Sequence, residues 1–200
     1  MNSKRNASFV ERLGALIIDL AIITLFTSIF STFVVNKDNY DKLTKESTEL
    51  MENYMDGKIK PTTYINRASD ISYDIARETG GLSIITLGVY ILYFIVFQFK
   101  NKGQTIGKKV FKLRVVSNDE RELNMNNFAI RSLIVNNILG DLIILSLSIL
   151  GTKNIYFESS MIVEVIEYGL IFATAITVLS RTDKRGIHDL ITNTKVIKEI

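Results

Sequence analysis

The sequence predicts an all-α membrane protein, a bundle of four transmembrane helices with a small cytoplasmic β-hairpin-like element. Of its 200 residues, 47% are hydrophobic and the mean hydropathy is +0.20. The apolar residues form four blocks, each long enough as a helix to cross a hydrocarbon core of about 30 Å. Lys and Arg are concentrated before the first block, between the second and third, and after the fourth. This pattern is typical of segments that remain in the cytoplasm.

The first predicted span, 13–35, has an acid within its apolar run RLGALIIDLAIITLF. Asp19 lies near the centre of that run, where a carboxylate costs about 2.5–3.5 kcal/mol on insertion scales. Arg12 lies two helical turns earlier, so the two side chains share one helix face. We expect Arg12 to reach the membrane surface and Asp19 to point into the bundle. There Asp19 would be either a proton or cation site or the structural partner of a basic residue.

An extracytoplasmic insertion, 36–81, is predicted between the first and second spans. Its seven Lys or Arg are outnumbered by nine acids, and segments of this length translocate largely regardless of charge. The pattern favours a short amphipathic helix up to Gly57 and another after Pro61, both outside the membrane. A solvated spacer is the alternative. The second span, 82–99, follows as the uncharged run LSIITLGVYILYFIVFQF.

The next loop, 100–130, carries seven Lys or Arg against three acids, which predicts a cytoplasmic location. Its GQTIGKK stretch lacks the spacing of a nucleotide-binding P-loop, since three residues separate Gly103 from Gly107 and Lys109 follows Lys108. A basic loop at a membrane more simply meets anionic lipid headgroups. The adjoining VFKLRVV has the alternation of a short strand.

The third span, 133–150, also contains polar residues. Asn137 and Asp141 are one helical turn apart. They are expected to form either an ion-coordinating pair or an interhelical polar clamp. Arg131, immediately before this span, is expected to reach the cytoplasmic interface.

The fourth span, 161–179, holds Glu164 and Glu167 near its outer end, where both are expected to be interfacial. A cytoplasmic tail, 181–200, follows it. The tail contains a cluster of charged and polar residues that includes Arg185, His188 and Asp189. We expect this cluster to cap the cytoplasmic mouth of the bundle, with Asp189 meeting Arg12 or Lys108. TKVIKEI at the end of the tail is a second predicted strand, and its pairing with VFKLRVV would fasten the loop to the tail.

Composition argues against several function classes. There is no cysteine, which removes thiolate chemistry, and His188 is the single histidine, which removes multi-histidine metal sites. The sequence therefore predicts no metal site and no cofactor. No set of nucleophile, base and orienting group can be assembled, so we expect no enzymatic activity. A net charge of +3, already explained by the loop pattern, gives no support to nucleic-acid binding.

Together these motifs resemble the RDD family of bacterial multi-pass membrane proteins, named for one Arg and two Asp. Arg12 and Asp19 look like the family's first-helix pair, and Asp189 in RGIHDLITNTKVI looks like its second Asp. GQTIGKKVFKLRVV is similar to the family's GxTxGK loop and following strand, with the motif positions Gly103, Thr105, Gly107 and Lys108. Arg131 falls where the family tends to carry an Arg. The resemblance implies a single membrane domain, 1–200, in a bacterial cell membrane, and the charge pattern predicts that both termini are cytoplasmic.

Two functions are compatible with this pattern. In the first, the protein transports a small ion or solute, with Asp19, either alone or together with Asp141, binding a cation or proton and Arg12 tuning the charge state of Asp19. Four spans are few for a transport path, so a homo-oligomer would be needed. In the second, it is a non-transporting partner or regulator of another membrane protein or an enzyme, through the cytoplasmic strands or the outer insertion. The polar network of Arg12, Asp19, Asp141 and Asp189 would then be structural.

Overall fold

The computed structural model describes residues 4–199, and it is mostly helical. Residues 1–3 and Ile200, the last position of the predicted strand TKVIKEI, lie outside the described residues. The chain forms two compact units. The first contains the described residues up to Phe26, then 87–139 and those from Ile166 onward; the second contains 27–86 and 140–165.

The secondary-structure elements are, in chain order, β1 (Lys4–Asn6), α1 (Phe9–Val34), α2 (Lys37–Met55), α3 (Pro61–Glu78), α4 (Gly80–Lys100), α5 (Ile106–Val110), β2 (Leu113–Ser117), α6 (Met125–Val135), α7 (Ile138–Leu150), α8 (Lys153–Ser180), α9 (Ile187–Ile191) and β3 (Thr194–Glu199). Among the described residues, α1, α4 and α8 are each long and apolar enough to cross a membrane. The pair α6 and α7 passes the same test together, which gives up to four candidate spans.

The third predicted span, 133–150, is not one straight helix in the structure. α6 and α7 meet at a bend of 67°. The bend lies at Asn136 and Asn137, and Asn137 has φ 53°, in the left-handed region that Asn tolerates better than most residues. Asn137 therefore lies outside α7, and it does not form a one-turn pair with Asp141 on an unbroken helix.

Two other spans also differ from the prediction. In α4, the segment Ile91–Phe97 is π-helical, and such segments insert an extra residue into the turn and re-aim the side chains around it. α8 begins at Lys153, well before the predicted 161. Glu164 and Glu167 therefore lie in the interior of a helix that continues beyond the predicted span, and their interfacial position stays a prediction.

In the second unit, α2 and α3 form a helical hairpin that holds most of the predicted insertion. The turn between them passes through Gly57, whose φ of 69° suits glycine, and Pro61 is the first residue of α3. Leu43 and Leu50 of α2 and Ile71 of α3 are buried. Each helix extends over about five turns, longer than the short helices that the sequence suggested.

The first unit carries a three-stranded antiparallel sheet in the order β1-β3-β2. The predicted pairing of the loop strand with the tail strand is confirmed, with Leu113 opposite Lys198 and Ser117 opposite Thr194. The prediction of only two strands was incomplete, because β1 pairs with the other edge of β3. The short helices α5 and α9 directly precede β2 and β3 in the chain. We call this sheet with α5 and α9 the motif platform.

Candidate functional site

Asp19 is completely buried, and hydrogen bonds hold both of its carboxylate oxygens. Oδ1 accepts from the Tyr93 hydroxyl at 2.5 Å and from the Gly107 amide at 2.7 Å. Oδ2 accepts from the Thr105 hydroxyl at 2.6 Å. Hydrogen bonds of this kind offset the desolvation of a buried carboxylate. Asp19 therefore joins α1 to α4 and to the beginning of α5.

The GQTIGK loop is shaped to reach Asp19. Thr105 is the N-cap of α5, and its hydroxyl also accepts from the Lys108 amide at 3.3 Å. Tyr93 accepts from the Ile106 amide at 3.0 Å while donating to Asp19. Tyr93 lies in the π-helical segment of α4. Its hydroxyl therefore connects this irregular turn both to the loop and to Asp19.

Two glycines allow the backbone of this loop to pack closely. Gly103 has φ 86°, and a Cβ there would meet the Val115 carbonyl oxygen in β2. A Cβ on Gly107 would meet the Ala15 carbonyl oxygen and would lie 2.8 Å from Asp19 Oδ1. The close approach of α5 to α1 thus requires glycine at position 107.

Gly107→Ala is expected to destabilise the protein by about 2 kcal/mol or more, because α5 must move away from α1 and weaken the Asp19 hydrogen bonds. Thermal or denaturant unfolding in a neutral detergent would measure the change. Gly169→Ala in α8 is the matched control, since a Cβ there meets nothing within 4 Å. Equal stability of the two variants would contradict this account of the loop.

Asp189 forms a second buried centre, and it too is completely buried. Its Oδ2 accepts from Arg12 at 2.6 Å and from the Gly186 amide at 3.1 Å. Its Oδ1 accepts from Arg131 and, at 3.2 Å, from the Thr194 hydroxyl. Burial raises the pKa of Asp189, but the nearby Arg131, His188 and Arg12 outweigh burial and hold this pKa well below the usual range. Asp189 is thus the anionic centre of a buried cluster.

The two arginines join distant parts of the chain through Asp189. Arg12 also donates to the Lys184 carbonyl at 2.5 Å, and Arg131 also donates to Thr194. Arg185 supports the same region from the tail, donating to the Thr194 carbonyl at 2.9 Å and to the Asp189 carbonyl at 3.0 Å. The cluster therefore fastens α1, α6 and the motif platform to one another.

Lys108 lies near both centres without belonging to an ion pair. Among the described residues, no carboxylate lies within ion-pair distance of its ammonium group, and its one hydrogen bond is to the Thr105 hydroxyl at 3.5 Å. Burial lowers the pKa of Lys108 to about 8, against the opposing effect of Asp19.

The two buried centres contain the Arg and the two Asp that carry the resemblance to a known family. The model of the RDD family matches residues 6–193. The chain belongs to the RDD family. The Arg and the two Asp that carry the resemblance to this family are Arg12, Asp19 and Asp189. Searches of curated proteins and of solved structures find no significant match to this RDD protein.

The structure groups the RDD residues differently from the single polar network that the sequence suggested. Arg12 binds Asp189 and not Asp19, so the carboxylates occupy two centres with separate partners. Asp141 belongs to neither centre. Asp141 lies in the second unit and is exposed. Its side chain makes no hydrogen bond or ion pair with any described residue. Its inclusion in the network was wrong.

Sequence reasoning missed several partners that complete the RDD site. Tyr93, Thr194 and the Gly186 amide all bind the buried carboxylates. None of them carries a charge that would draw attention to it inside an apolar or loop segment. Within residues 4–199, no cluster of three or more His, Asp or Glu is arranged to hold a metal ion.

Proposed function

We propose that this RDD protein is a non-enzymatic membrane protein that works by binding a partner, and that its family residues fasten the motif platform to the membrane helices. In this proposal Arg12, Asp19 and Asp189 have structural roles. In this proposal the motif platform is cytoplasmic. The partner is another membrane protein or a membrane-associated enzyme.

The observation that carries this proposal is the complete hydrogen bonding of both family carboxylates. Asp19 accepts three hydrogen bonds, and Asp189 lies between two guanidinium groups. A carboxylate that carries a cation across a membrane needs oxygen lone pairs that become free during transport. Here such a cation would have to displace Tyr93, Thr105 and the Gly107 amide together. The arrangement favours rigidity over exchange.

The pairing of β1 with β3 supports the proposed orientation. It joins the first and last described segments of the chain, which supports a common side of the membrane for both and an even number of crossings. The three long helices would then be joined by the bent pair α6 and α7 as a fourth crossing. The excess of Lys and Arg in the loop 100–130 favours a cytoplasmic location for this side.

The α2–α3 hairpin supplies a contact surface for a protein partner. Near its turn, Met55 is 76% exposed and Ile65 is 51% exposed, beside the stacked rings of Tyr54 and Tyr64. Met51 is exposed and contacts the Tyr64 hydroxyl through its sulfur. Clustered apolar side chains on an otherwise charged hairpin are typical of an interaction site. We call these five residues the hairpin tip.

Met55→Lys is expected to release partners that are captured through the hairpin tip. Chemical crosslinking in intact membranes, followed by purification of the tagged protein, would compare the captured proteins. Thr48→Lys is the matched control, because it adds the same charge at an exposed position of the same helix. Partner sets that do not differ between wild type and Met55→Lys would exclude the hairpin tip as the contact surface.

Solute transport is the second candidate function, and a cavity in the first unit favours it. This cavity has a volume of about 250 Å³ and is lined by Arg12, Lys108 and Arg131 as well as apolar residues. Its positive lining favours an anion over the cation or proton that the acids in the sequence suggested. A transport path through so few helices would require a homo-oligomer.

Flux in proteoliposomes distinguishes the two functions. If the protein is a partner-binding module, proteoliposomes should dissipate pH and sodium gradients no faster than empty liposomes, for wild type and for Asp19→Asn alike. A sodium- or pH-dependent flux in wild type that Asp19→Asn abolishes, at matched incorporation and with folding intact, would overturn the structural role of Asp19.

A further inference from the structure

The cavity in the first unit has an apolar wall and a cationic end. Leu13 and Leu16 of α1 line it together with Ile171 and Val178 of α8. All four belong to helices that are candidate membrane spans. The polar end is formed by Arg12, Lys108, Arg131 and His188. A ligand that matches both parts would have an apolar portion and an anionic group.

The charges around the cavity do not balance. Three cationic side chains line it: Arg12, Lys108 and Arg131. The two nearby carboxylates, Asp19 and Asp189, are not among the lining residues. Asp189 is already shared between Arg12 and Arg131. Lys108 forms no ion pair with any residue from 4 to 199. Buried charge without a counter-ion is unfavourable, so an anion in the cavity would complete the cluster.

His188 adds an unused hydrogen-bonding group to the same end. The residue is 6% exposed and lines the cavity, and within the described chain its Nδ1 has no hydrogen-bond partner. Its Nε2 lies 3.4 Å from Asp189 Oδ2, and this proximity favours the tautomer with the proton on Nε2. In that tautomer Nδ1 is an acceptor, which suits a ligand hydroxyl beside the anionic group.

We propose that this cavity binds an amphiphilic anion, whose phosphate or carboxylate head lies against Lys108, Arg12 and Arg131 and whose hydrocarbon chain lies along α1 and α8. An anionic membrane lipid and a free single-chain alkyl phosphate share this chemistry. The cavity takes the head and the first part of the chain, and the remainder follows the apolar surface of the helices. This site is independent of partner binding at the hairpin tip, so either proposal can fail alone.

The test uses the purified full chain in a neutral detergent with dodecyl phosphate as the probe. Native mass spectrometry would count bound copies, and a thermal-unfolding titration would give an apparent affinity. Inorganic phosphate tests the head without a chain, and dodecyltrimethylammonium tests the chain with a cationic head. We expect one bound dodecyl phosphate and a raised Tm, with at least a tenfold weaker effect from either control compound.

Lys108→Met and Lys109→Met form a matched pair for this test. Lys109 is the next residue of the same short helix but is exposed and does not line the cavity. We expect Lys108→Met to weaken dodecyl phosphate binding at least tenfold and Lys109→Met to change it less than twofold. Because Lys108 supports neither Asp19 nor Asp189 by a direct hydrogen bond, the variant should fold, and its unfolding transition without ligand verifies this.

Each other outcome would overturn the proposal in a specific way. If inorganic phosphate binds as well as dodecyl phosphate, the ligand of the cavity is a free anion and not an amphiphile. Equal binding of the cationic compound, or equal loss in both lysine variants, would reduce the effect to adsorption of detergent-like molecules. Absence of any bound dodecyl phosphate would exclude the site. If the ligand needs both its hydrocarbon chain and its anionic head to bind, lipid extracted with the protein and analysed for phosphorus would distinguish a membrane lipid from a soluble alkyl phosphate.

Discussion

Asp189→Asn should lower the free energy of unfolding by about 3–5 kcal/mol, the largest loss expected from a single substitution in this protein. The amide removes the negative charge between two buried guanidinium groups, Arg12 and Arg131, and leaves them to repel each other. It also directs a donor toward groups that are themselves donors. Denaturant unfolding in neutral detergent, followed by circular dichroism, would measure the loss.

The control for this substitution is an ion pair of the motif platform that is partly open to solvent. Arg114 donates to Glu199 at 2.7 Å, and both side chains are partly exposed. Glu199→Gln should therefore change stability by less than about 1 kcal/mol. If the two variants lose the same amount, the position of Asp189 between the arginines does not determine stability.

Asp19→Asn is expected to lower the free energy of unfolding by about 2–4 kcal/mol and to release the GQTIGK loop. The Asn side chain has one oxygen, so at least one of the donors Tyr93, Thr105 and the Gly107 amide loses its acceptor in a buried site. The freed loop exposes its lysines, and faster cleavage by trypsin after Lys108 or Lys109 would report this change separately from global stability.

Asp141→Asn provides the comparison for Asp19→Asn, because it makes the same chemical change in another apolar helix. Asp141 is exposed and its side chain has no described partner, so its stability and its cleavage pattern should both remain close to wild type. A loss at position 141 as large as the loss at 19 would mean that α7 contacts something that this chain alone does not contain.

Local patterns in the sequence predicted those parts of the fold that depend on neighbouring residues. Alternation in KLRVV and TKVIKE was sufficient to predict β2 and β3, because strands display their period over a few residues. β1 is only three residues long and has no such period. The bend before α7 was missed because Asn137 interrupts the helix by its own backbone conformation, while the apolar composition continues on both sides.

Of the contacts in the candidate site, the sequence predicted only those between charged side chains. The meeting of Arg12 with Asp189 was one of two pairings that the tail cluster suggested, and the structure places them 2.6 Å apart. The partners of Asp19 could not be predicted in this way. A hydroxyl within an apolar helix and a backbone amide leave no charge pattern in a sequence, and their approach depends on a π-helical turn and a glycine.

The central position of β3 in the sheet has a consequence for the order of events during synthesis. β1 and β2 can pair only with β3, and Asp189 is made 177 residues after Arg12. At a translation rate of about 5–20 residues per second, Arg12 waits roughly 10–35 s for its counter-ion. Arg131 waits for a shorter time, since 58 residues separate it from Asp189. Until then both arginines must remain hydrated or bound to lipid phosphates. Asp189 lies in α9, just before β3, so the two arginines and the central strand find their partners only when this part of the chain has been made. A nascent chain stalled before position 189 is therefore expected to leave both arginines without their carboxylate.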